Sequence, residues 1–556
     1  MTKERIVKQK LQKAQKETTI AQNSTPFQVP NWLPLSLILV ATTLLHLQYL
    51  DIPLERDESL YAYIGKLALG GGRPYVDFYE MKPPVLFYSY ALLVGLFGYS
   101  ATGIHLAATV VAVLNTLFTL LIAKKLGGMQ LAYLSSATFV IWSLCPGIYG
   151  SYLLSENIAL CWGLPSILWA LNYPNKTDTK QLFGIGFLLA MAFLVKQPAG
   201  VFAAAVGFYW MAHWFFNRKT LEFSIFVKPL FWTILGFFIP IVLTVVGLWA
   251  VGSGQEASFW LLEYPRIYTS SVSDADSKLA FSKMLQLVLT DYQGYFGATL
   301  LGIFAVILSK RALAQKVFLL SWLVLTVGTV AIGKRFYGHY WFFALPIMSI
   351  LGAIFFHDII IWLRQKKGQI EAIIASIVAV LWSIHAFFVQ PNYYFNPPLT
   401  EISRTFSPGN PFVEHQILSN YLQKIIQPTD KLIVLGSDLQ FFIYLNKTSP
   451  IRHIYMPFFV NLQYPRAITW QNETIEGLKS TKSEYVIFNN YPIAWMYQPN
   501  HSQRMYSEIV NHLDQQYDLV AFIENPGKNS SVQIIEAKNG LLKPRTQSYI
   551  SVLKRR

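Results

Sequence analysis

Charged side chains are scarce in this sequence. They make up 13% of its 556 residues, roughly half the share found in soluble domains, while hydrophobic residues make up 53% and the mean hydropathy is +0.35. The apolar residues also occur in blocks of about 20, the length that crosses a bilayer as a helix. This composition excludes an ordinary soluble protein and predicts a polytopic α-helical membrane protein.

Cysteine and acidic residues are also few. Only Cys145 and Cys161 are present, both in or near apolar segments, which excludes a disulfide framework and a cysteine metal site. The 45 lysines and arginines outnumber the 30 acids, for a net charge of +15. In a soluble protein this excess would suggest nucleic acid. Here the basic residues fall in short loops that orient membrane helices, so we expect no nucleic-acid partner.

The apolar blocks predict about eleven membrane spans. They are Trp32–Leu50, Ile104–Ala123, Met129–Gly147, Leu153–Leu171, Leu182–Val195, Pro198–Phe216, Pro229–Val251, Tyr295–Leu308, Val317–Ile332, Tyr340–Leu363 and Ile373–Val389. Pro84–Tyr99 is apolar but barely long enough to cross, and we expect it to lie at the membrane surface or to dip into it.

Basic residues mark every second predicted loop. They are Lys124-Lys125, Lys176 with Lys180, Arg218-Lys219, Lys310-Arg311 with Lys316, and Arg364 with Lys366-Lys367. The positive-inside rule places these loops, and the basic tail 1–31, in the cytoplasm. The first outer loop (51–83) and everything after about residue 390 then face outward. Since no eukaryotic retention signal ends the chain, we expect a bacterial inner membrane.

The last part of the chain, residues 391–556, has a different pattern. Asn392–Pro411 is rich in Pro, Asn and Ser and is interpreted as a linker. Short runs rich in Val, Ile and Phe then predict strands, and two segments with helical spacing predict helices. The strand runs are Lys431–Asp438, Glu484–Asn490, Tyr517–Glu524 and Ser531–Lys538, and the helical segments are Phe412–Ile426 and Met505–Leu513. We therefore predict an extracytoplasmic α/β domain after a membrane domain at 32–390.

Acidic residues concentrate in the first outer loop, where charge is otherwise rare. They are Glu55, Asp57, Glu58, Asp77 and Glu80, and Glu156 opens another span on the same face. Charges at a membrane face are costly unless they meet water, one another or a ligand. Converging carboxylates suit a general base or a divalent cation, with Asp57 and Glu156 as candidate ligands. The alternative is that Asp57 and Glu58 simply cap a helix over Ser59–Leu69.

Four basic side chains lie on the same outer face, against the topological bias. Lys82 precedes Pro83-Pro84, Lys196 precedes a proline at a span junction, and Arg335 and His339 share one short loop. Alternatively, Lys82 extends its amine to the interface, Lys196 pairs with a loop acid such as Glu263, and His339 is a packing residue. Together the four predict an anion site flanked by carboxylates.

These motifs resemble the GT-C membrane glycosyltransferases, in the branch of ArnT and the protein O-mannosyltransferases. The resemblance rests on the acidic pair after the first span, Gly72–Asp77 as G-x-x-Y-x-D, Lys82-Pro83-Pro84, and Tyr337–Tyr340 running into Ala344-Leu345-Pro346. It implies a membrane domain of about eleven to thirteen spans followed by an outer soluble domain. It also implies transfer of one sugar, with inversion, from a polyprenyl-phosphate donor to a glycan, lipid or protein acceptor.

The resemblance also implies roles for individual residues. Asp57 would be the general base, with Glu58 supporting it, and Lys82 would contact the donor phosphate, helped by Arg335, His339 and Lys196. Asp77, Glu80 and Glu156 would be supporting acids or ligands of a divalent cation. Two other readings remain, a transporter or flippase of a lipid-linked sugar and a membrane scaffold. The chain shows neither the repeated halves nor the midplane charges typical of transporters, and a scaffold leaves the clustered charges unexplained.

Overall fold

The chain folds into a helical part, which carries the apolar segments, and a C-terminal part built on one sheet. The computed structural model describes residues 32–145, 147–172, 178–219, 221–290, 292–460, 462, 464–495, 503–524, 533–537 and 544–556. The basic tail (1–31) and Lys176 lie outside these residues. The topology that was inferred from the basic loops therefore remains a prediction.

Helices form nearly all of the first part. They span Trp32–Leu47, Arg56–Leu69, Pro84–Phe97, Ala101–Ser143, Ser155–Ala170, Thr179–Val195, Val201–Asn217, Ser224–Ala250, Gly254–Ser258, Tyr264–Ser270, Asp274–Thr290, Gln293–Leu308, Leu313–Ile332, Leu345–Lys366, Gln369–Ser383, His385–Val389, Pro391–Phe395 and Leu399–Phe406. A π-helical turn covers Phe259–Glu263, and 3₁₀ turns cover Gln197–Gly200 and Gly338–Phe343.

Each of the first ten predicted spans coincides with a helix or with half of one, and the eleventh covers two helices, Gln369–Ser383 and His385–Val389. The second and third share Ala101–Ser143, which breaks at Gly127 and Gly128, where the backbone leaves helical geometry. By length and composition, five helices among the described residues could cross a membrane, or six if the bent pair Asp274–Thr290 and Gln293–Leu308 is one span. The number of crossings stays a prediction, as does the membrane position of Pro84–Phe97.

The first-loop helix, Arg56–Leu69, packs on Pro84–Phe97. Glu55 caps it, since its carboxylate accepts the N–H groups of residues 57 and 58. Gly65 permits the packing, because a Cβ there would lie 2.8 Å from the backbone carbonyl carbon of Tyr90. At the other end of the helix, Gly71 adopts φ +83°, a left-handed conformation that glycine accepts at little cost.

The C-terminal part is a five-stranded sheet with helices, as predicted. The strands are β1 Leu432–Leu435, β2 Tyr485–Asn489, β3 Tyr517–Glu524, β4 Ile534–Glu536 and β5 Tyr549–Arg555, in the order β1-β2-β5-β3-β4. Only β1 and β2 pair in parallel; the other pairs are antiparallel. The helices are Phe412–Leu422, Gln440–Tyr444, Pro457–Val460, Ala467–Thr481, Pro492–Trp495 and Gln503–Gln516. All four predicted strands and both predicted helices are confirmed, whereas β5 was missed.

The interpretation of Asn392–Pro411 as a linker was wrong. Two short helices, Pro391–Phe395 and Leu399–Phe406, occupy most of it, and Tyr394 is fully buried. Proline and asparagine here begin and end short helices instead of marking an unstructured connection. This segment brings the C-terminal part against the first outer loop, where the Leu54 N–H donates to the Tyr444 hydroxyl at 2.9 Å.

Candidate active site

Six of the predicted site residues line one cavity of about 330 Å³, called the polar cavity below. They are Asp57, Glu80, Lys82, Lys196, Arg335 and His339. The cavity lies where the first outer loop, the loop before Leu345–Lys366 and the C-terminal part meet. It therefore gathers residues that are almost 300 positions apart in the chain.

Asp57 reaches the polar cavity from the first turn of the first-loop helix. Its side chain is half-buried and accepts a hydrogen bond from the Tyr61 hydroxyl, 3.3 Å from Oδ2. Burial, reinforced by the charge of Asp57, raises the pKa of Tyr61 well above its ordinary value, so this hydroxyl stays a donor. Asp57 thus presents a carboxylate to the cavity with one hydrogen bond orienting it.

Glu58 lies one position further and does not line the polar cavity. Its Oε1 accepts the Glu55 N–H at 2.9 Å and lies 3.2 Å from Nε2 of His105, while Oε2 accepts the Leu153 N–H at 3.0 Å. The side chain is fully buried. The capping alternative therefore fits Glu58, which holds the loop against two helices, whereas Asp57 is directed to the cavity.

Lys82 and Glu80 form a buried ion pair at the cavity wall. The Lys82 amine lies 2.8 Å from Oε1 of Glu80, and the Lys82 backbone N–H donates to Oε2 at 2.5 Å. Burial opposes the charge of Lys82, but Glu80 and Asp57 outweigh it and raise the lysine pKa. Burial also raises the pKa of Glu80, although Lys82 partly offsets this. Lys82 is therefore a positive charge held in place before any ligand binds.

Lys196 and His339 converge on Glu156. The Lys196 amine donates to Oε1 of Glu156, and Nε2 of His339 lies 3.8 Å from the same oxygen. The partner of Lys196 is thus Glu156, and the alternative partner Glu263 was wrong. Burial lowers the pKa of both Lys196 and His339, with Glu156 opposing the shift. At neutral pH His339 is therefore a neutral imidazole.

Arg335 is less constrained than the two lysines. Its guanidinium lies over the ring of Tyr268, 4.1 Å from the centroid, and its Nε is buried without a hydrogen-bond partner in the described part of the chain. Its side chain also hydrogen-bonds to Tyr337, but no acid pairs with it among the described residues. Its charge is therefore available to an anion in the polar cavity.

An apolar cavity of the same size, about 330 Å³, adjoins the polar one. Lys82, Lys196, Tyr268 and Tyr340 line both. The other residues lining the apolar cavity are mostly uncharged; they include Leu261, Pro265, Thr329, Ile332 and Phe343, of which Thr329 and Ile332 belong to a span-length helix. A polar and an apolar chamber thus meet at two lysines and two tyrosines.

Sequence reasoning missed most of the aromatic wall of the polar cavity. Tyr264 and Tyr268 come from the segment between the predicted spans Pro229–Val251 and Tyr295–Leu308, and Tyr455, Tyr464 and Trp495 come from the C-terminal part. The run Tyr264–Tyr268, with two tyrosines around a proline and an arginine, was a usable signal in a loop that should otherwise be polar. Nothing local distinguishes the three C-terminal residues from core aromatics.

Two further predicted acids do not line the polar cavity: Asp77 is on the surface, and Glu156 lines the apolar cavity. Asp77 is exposed and pairs with Arg73 at 3.3 Å, outside both cavities described so far. Glu156 is occupied by Lys196 and His339. Among the described residues, no three His, Cys, Asp or Glu side chains are grouped so as to hold a metal ion. Asp57 and Glu156 do not belong to such a group, and we derive no step through a cation.

Comparison with known proteins identifies a family model and solved structures that this chain resembles. Residues 81–250 match the family model of the dolichyl-phosphate-mannose-protein mannosyltransferases. A crystal structure of ArnT from Cupriavidus metallidurans bound to undecaprenyl phosphate has a TM-score of 0.59 at 12% identity, covering 94% of this chain and 97% of ArnT. The apo structure of that ArnT gives 0.59 at 11% identity, covering 93% and 97%.

A third structure shares the fold more loosely. The oligosaccharyltransferase AglB from Archaeoglobus fulgidus, in complex with an inhibitory peptide and a dolichol-phosphate, has a TM-score of 0.52 at 10% identity, covering 92% of this chain and 75% of AglB. A comparison with curated proteins found no match. The chain is therefore an integral membrane protein with the GT-C fold, in the form shared by ArnT, and its residues 81–250 carry the sequence pattern of the protein mannosyltransferases.

Proposed function

We propose that this protein transfers one sugar from a polyprenyl-phosphate donor to an acceptor on the outer face of a bacterial inner membrane. The observation that carries the proposal is the junction of the polar and apolar cavities at Lys82 and Lys196. A lipid-linked sugar phosphate has the same sequence of parts: an apolar tail, an anion and a polar sugar. Likeness to ArnT, solved with undecaprenyl phosphate, supports the same donor class.

Asp57 is the proposed general base. It would take the proton of the acceptor hydroxyl as that oxygen forms a bond to the anomeric carbon of the donor sugar. The bond between that carbon and the phosphate oxygen breaks, and attack from the opposite face inverts the configuration. Polyprenyl phosphate leaves with one more negative charge. No covalent sugar–enzyme intermediate is required.

Lys82, Lys196 and Arg335 are the proposed phosphate contacts. Charge that grows on the leaving phosphate is stabilised most by cations that are already fixed in a site of low water content. Glu80 fixes Lys82, Glu156 fixes Lys196, and the ring of Tyr268 supports Arg335. His339 would donate a hydrogen bond as a neutral ring.

A transporter or flippase of a lipid-linked sugar is the competing function. Transport requires a route across the membrane, whereas the charged groups here surround one cavity next to a C-terminal domain that also lines it. This arrangement favours chemistry at one face. The proposal leaves the acceptor as a glycan, a lipid or a protein.

The test uses the purified full-length chain with radiolabelled polyprenyl-phosphate sugars and candidate acceptors. We expect label to move to an acceptor and polyprenyl phosphate to be released in equal amount. Reconstitution in sealed vesicles provides the second arm. Movement of the intact lipid-linked sugar between leaflets, without transfer, would replace this proposal with the flippase.

A further inference from the structure

A third cavity, of about 470 Å³, lies beside the polar cavity and is called the outer cavity here. The first outer loop forms one side of it, and the segment Thr448–Tyr455 of the C-terminal part forms the other. Leu60 and Tyr455 line both the outer and the polar cavity. The two cavities are therefore neighbours that meet at Leu60 and Tyr455.

One face of the first-loop helix connects them. Asp57 lies at the polar cavity, Leu60 at both, and Ile64 and Leu67 at the outer cavity. The spacings of three, four and three residues put these side chains on one stripe of the helix. Ten residues from Asp57 to Leu67 correspond to about 15 Å along the axis. A molecule that reaches Asp57 and fills the outer cavity must therefore be extended.

The chemistry of the outer cavity suits linked sugars. Aromatic rings are present at Tyr63 and Phe78, hydroxyl groups at Thr448 and Ser449, and a carboxylate at Asp77. Sugar C–H faces pack on aromatic rings, and sugar hydroxyls pair with hydroxyl and planar polar side chains. Arg452 adds a guanidinium fixed by a 2.7 Å hydrogen bond from its Nε to the Val76 carbonyl.

Two other occupants fit less well. An acyl chain would enter from the membrane, but none of the five span-length helices lines this cavity. A peptide commonly binds by adding a strand to a sheet edge, and none of the described strands lines the cavity. The charged and hydroxyl groups also make a dry apolar ligand unfavourable.

The glycine run Gly70–Gly72 helps to keep this space open. Gly70 and Gly72 both line the outer cavity. A Cβ at Gly72 would lie 3.0 Å from the Leu67 carbonyl oxygen and 3.2 Å from Cε1 of Phe78. Side chains at these positions would project into the wall or the cavity. The run therefore has a role beyond turning the chain.

We propose that the outer cavity is an acceptor subsite for a glycan of several linked sugars, whose terminal hydroxyl reaches Asp57 while the preceding sugars bind between the first outer loop and Thr448–Tyr455. This inference rests on the proposed function, and it assigns the acceptor to the glycan class. In this proposal the C-terminal part takes part in acceptor binding, because it supplies one wall of the subsite.

The test measures binding to the full-length protein in detergent, without donor, so that no glycan is consumed. The probes are fluorescent linear glucans, mannans, galactans and arabinans, from monosaccharide to hexasaccharide, with a set of unstructured peptides rich in Ser and Thr as a separate arm. We expect one glycan series to bind about tenfold more tightly as a trisaccharide than as a monosaccharide.

Two variants locate the subsite. Thr448→Trp fills the exposed rim of the outer cavity. It should remove the increase in affinity with glycan length while leaving monosaccharide binding unchanged. Asp77→Asn changes the polar contact without adding volume and should reduce the gain. Thr400→Trp, an equally exposed threonine outside all three cavities, is the matched control and should behave as the parent.

The outcomes separate this inference from the proposed function. Four results would each overturn the subsite. They are affinity that is independent of glycan length, absence of binding by every glycan series, preferential binding of the peptides, and an undiminished increase in affinity with glycan length in both cavity variants. Undecaprenyl phosphate binding is measured on the same preparations. Its absence from the parent protein would count against the proposed function itself.

Discussion

Replacing Lys82 should change both the stability of the protein and its binding of the donor, and the ion pair with Glu80 allows the two effects to be separated. Lys82→Met leaves the Glu80 carboxylate buried without its amine partner. Breaking a buried ion pair from one side costs about 3 to 5 kcal/mol. We therefore expect a lower apparent Tm in detergent, and any loss of donor binding in this variant alone would be ambiguous.

The double variant Lys82→Met/Glu80→Gln resolves the ambiguity. It removes both charges, so we expect most of the stability to return. Binding of undecaprenyl phosphate should not return, because a charged hydrogen bond to phosphate contributes about 1.5 to 3 kcal/mol, equivalent to roughly 10- to 100-fold in Kd. The second single variant is Glu80→Gln, which keeps the amine but leaves Lys82 buried without its partner. It should be destabilised as Lys82→Met is, yet bind more lipid than the double variant, because only it retains the amine.

The pH dependence provides a further check. Burial already raises the pKa of Glu80, and loss of Lys82 should raise it more. A raised carboxyl pKa means that stability is retained at low pH and is lost as pH rises through the folded-state pKa. Lys82→Met should therefore be less destabilising at about pH 5 than at about pH 8. Recovery of lipid binding in the double variant would refute Lys82 as a phosphate contact.

Three further outcomes are expected. Asp57→Asn should bind undecaprenyl phosphate as the parent does but transfer sugar at least about 100-fold more slowly, and a parent rate would remove Asp57 as the base. Glu58→Ala leaves the Leu153 N–H and His105 without their carboxylate, so it should lower the apparent Tm while binding of undecaprenyl phosphate stays intact. Loss of sugar transfer with an unchanged Tm would instead assign Glu58 to catalysis. Burial lowers the pKa of His453 to about 4, so this one imidazole should contribute a loss of up to about 3 kcal/mol between about pH 6.5 and 4, and His453→Gln should reduce the protein's acid destabilisation by that amount in thermal melts.

The sequence predicted which segments meet at the candidate site. Charges are so costly in an apolar chain that Asp57, Lys82, Lys196 and Arg335 stood out, and the alternation of basic loops predicted a common face. The structure does bring all four to one cavity. Their meeting did not require knowledge of the helix packing, only that outer loops share one side.

The sequence alone does not show which of two adjacent helix residues faces the cavity. Asp57 and Glu58 are adjacent, and successive residues on a helix point about 100° apart. Which of the two faces the cavity depends on where the helix begins, at Arg56, and on the contact of Glu58 with His105. The aromatic wall from Tyr455 and Trp495 depends on docking between parts about 400 residues apart in the chain, which no local pattern records.

Strand β5 shows a different limit. Its residues Tyr549–Arg555 end in charges and no strand was predicted there, yet β5 lies between β2 and β3 with Ile550 and Val552 fully buried. The charged end is accommodated because Lys554 stands opposite Tyr485 on one side and Asp518 on the other. Three consecutive residues of β5, Ile550–Val552, are buried, so the strand lacks the alternation of buried and exposed positions that marks a half-buried strand.

The balance of charge in the polar cavity bears on the order of events in the proposed reaction. Lys82 and Lys196 are already paired with Glu80 and Glu156, so each pair contributes little net charge to an arriving donor. Arg335 has no such partner among the described residues and lies on a ring that leaves its charge free. A donor phosphodiester carries one negative charge, and departure of the sugar adds a second. The guanidinium of Arg335 can neutralise the first charge. The two lysines are desolvated and held in place, so they stabilise the second charge as it develops.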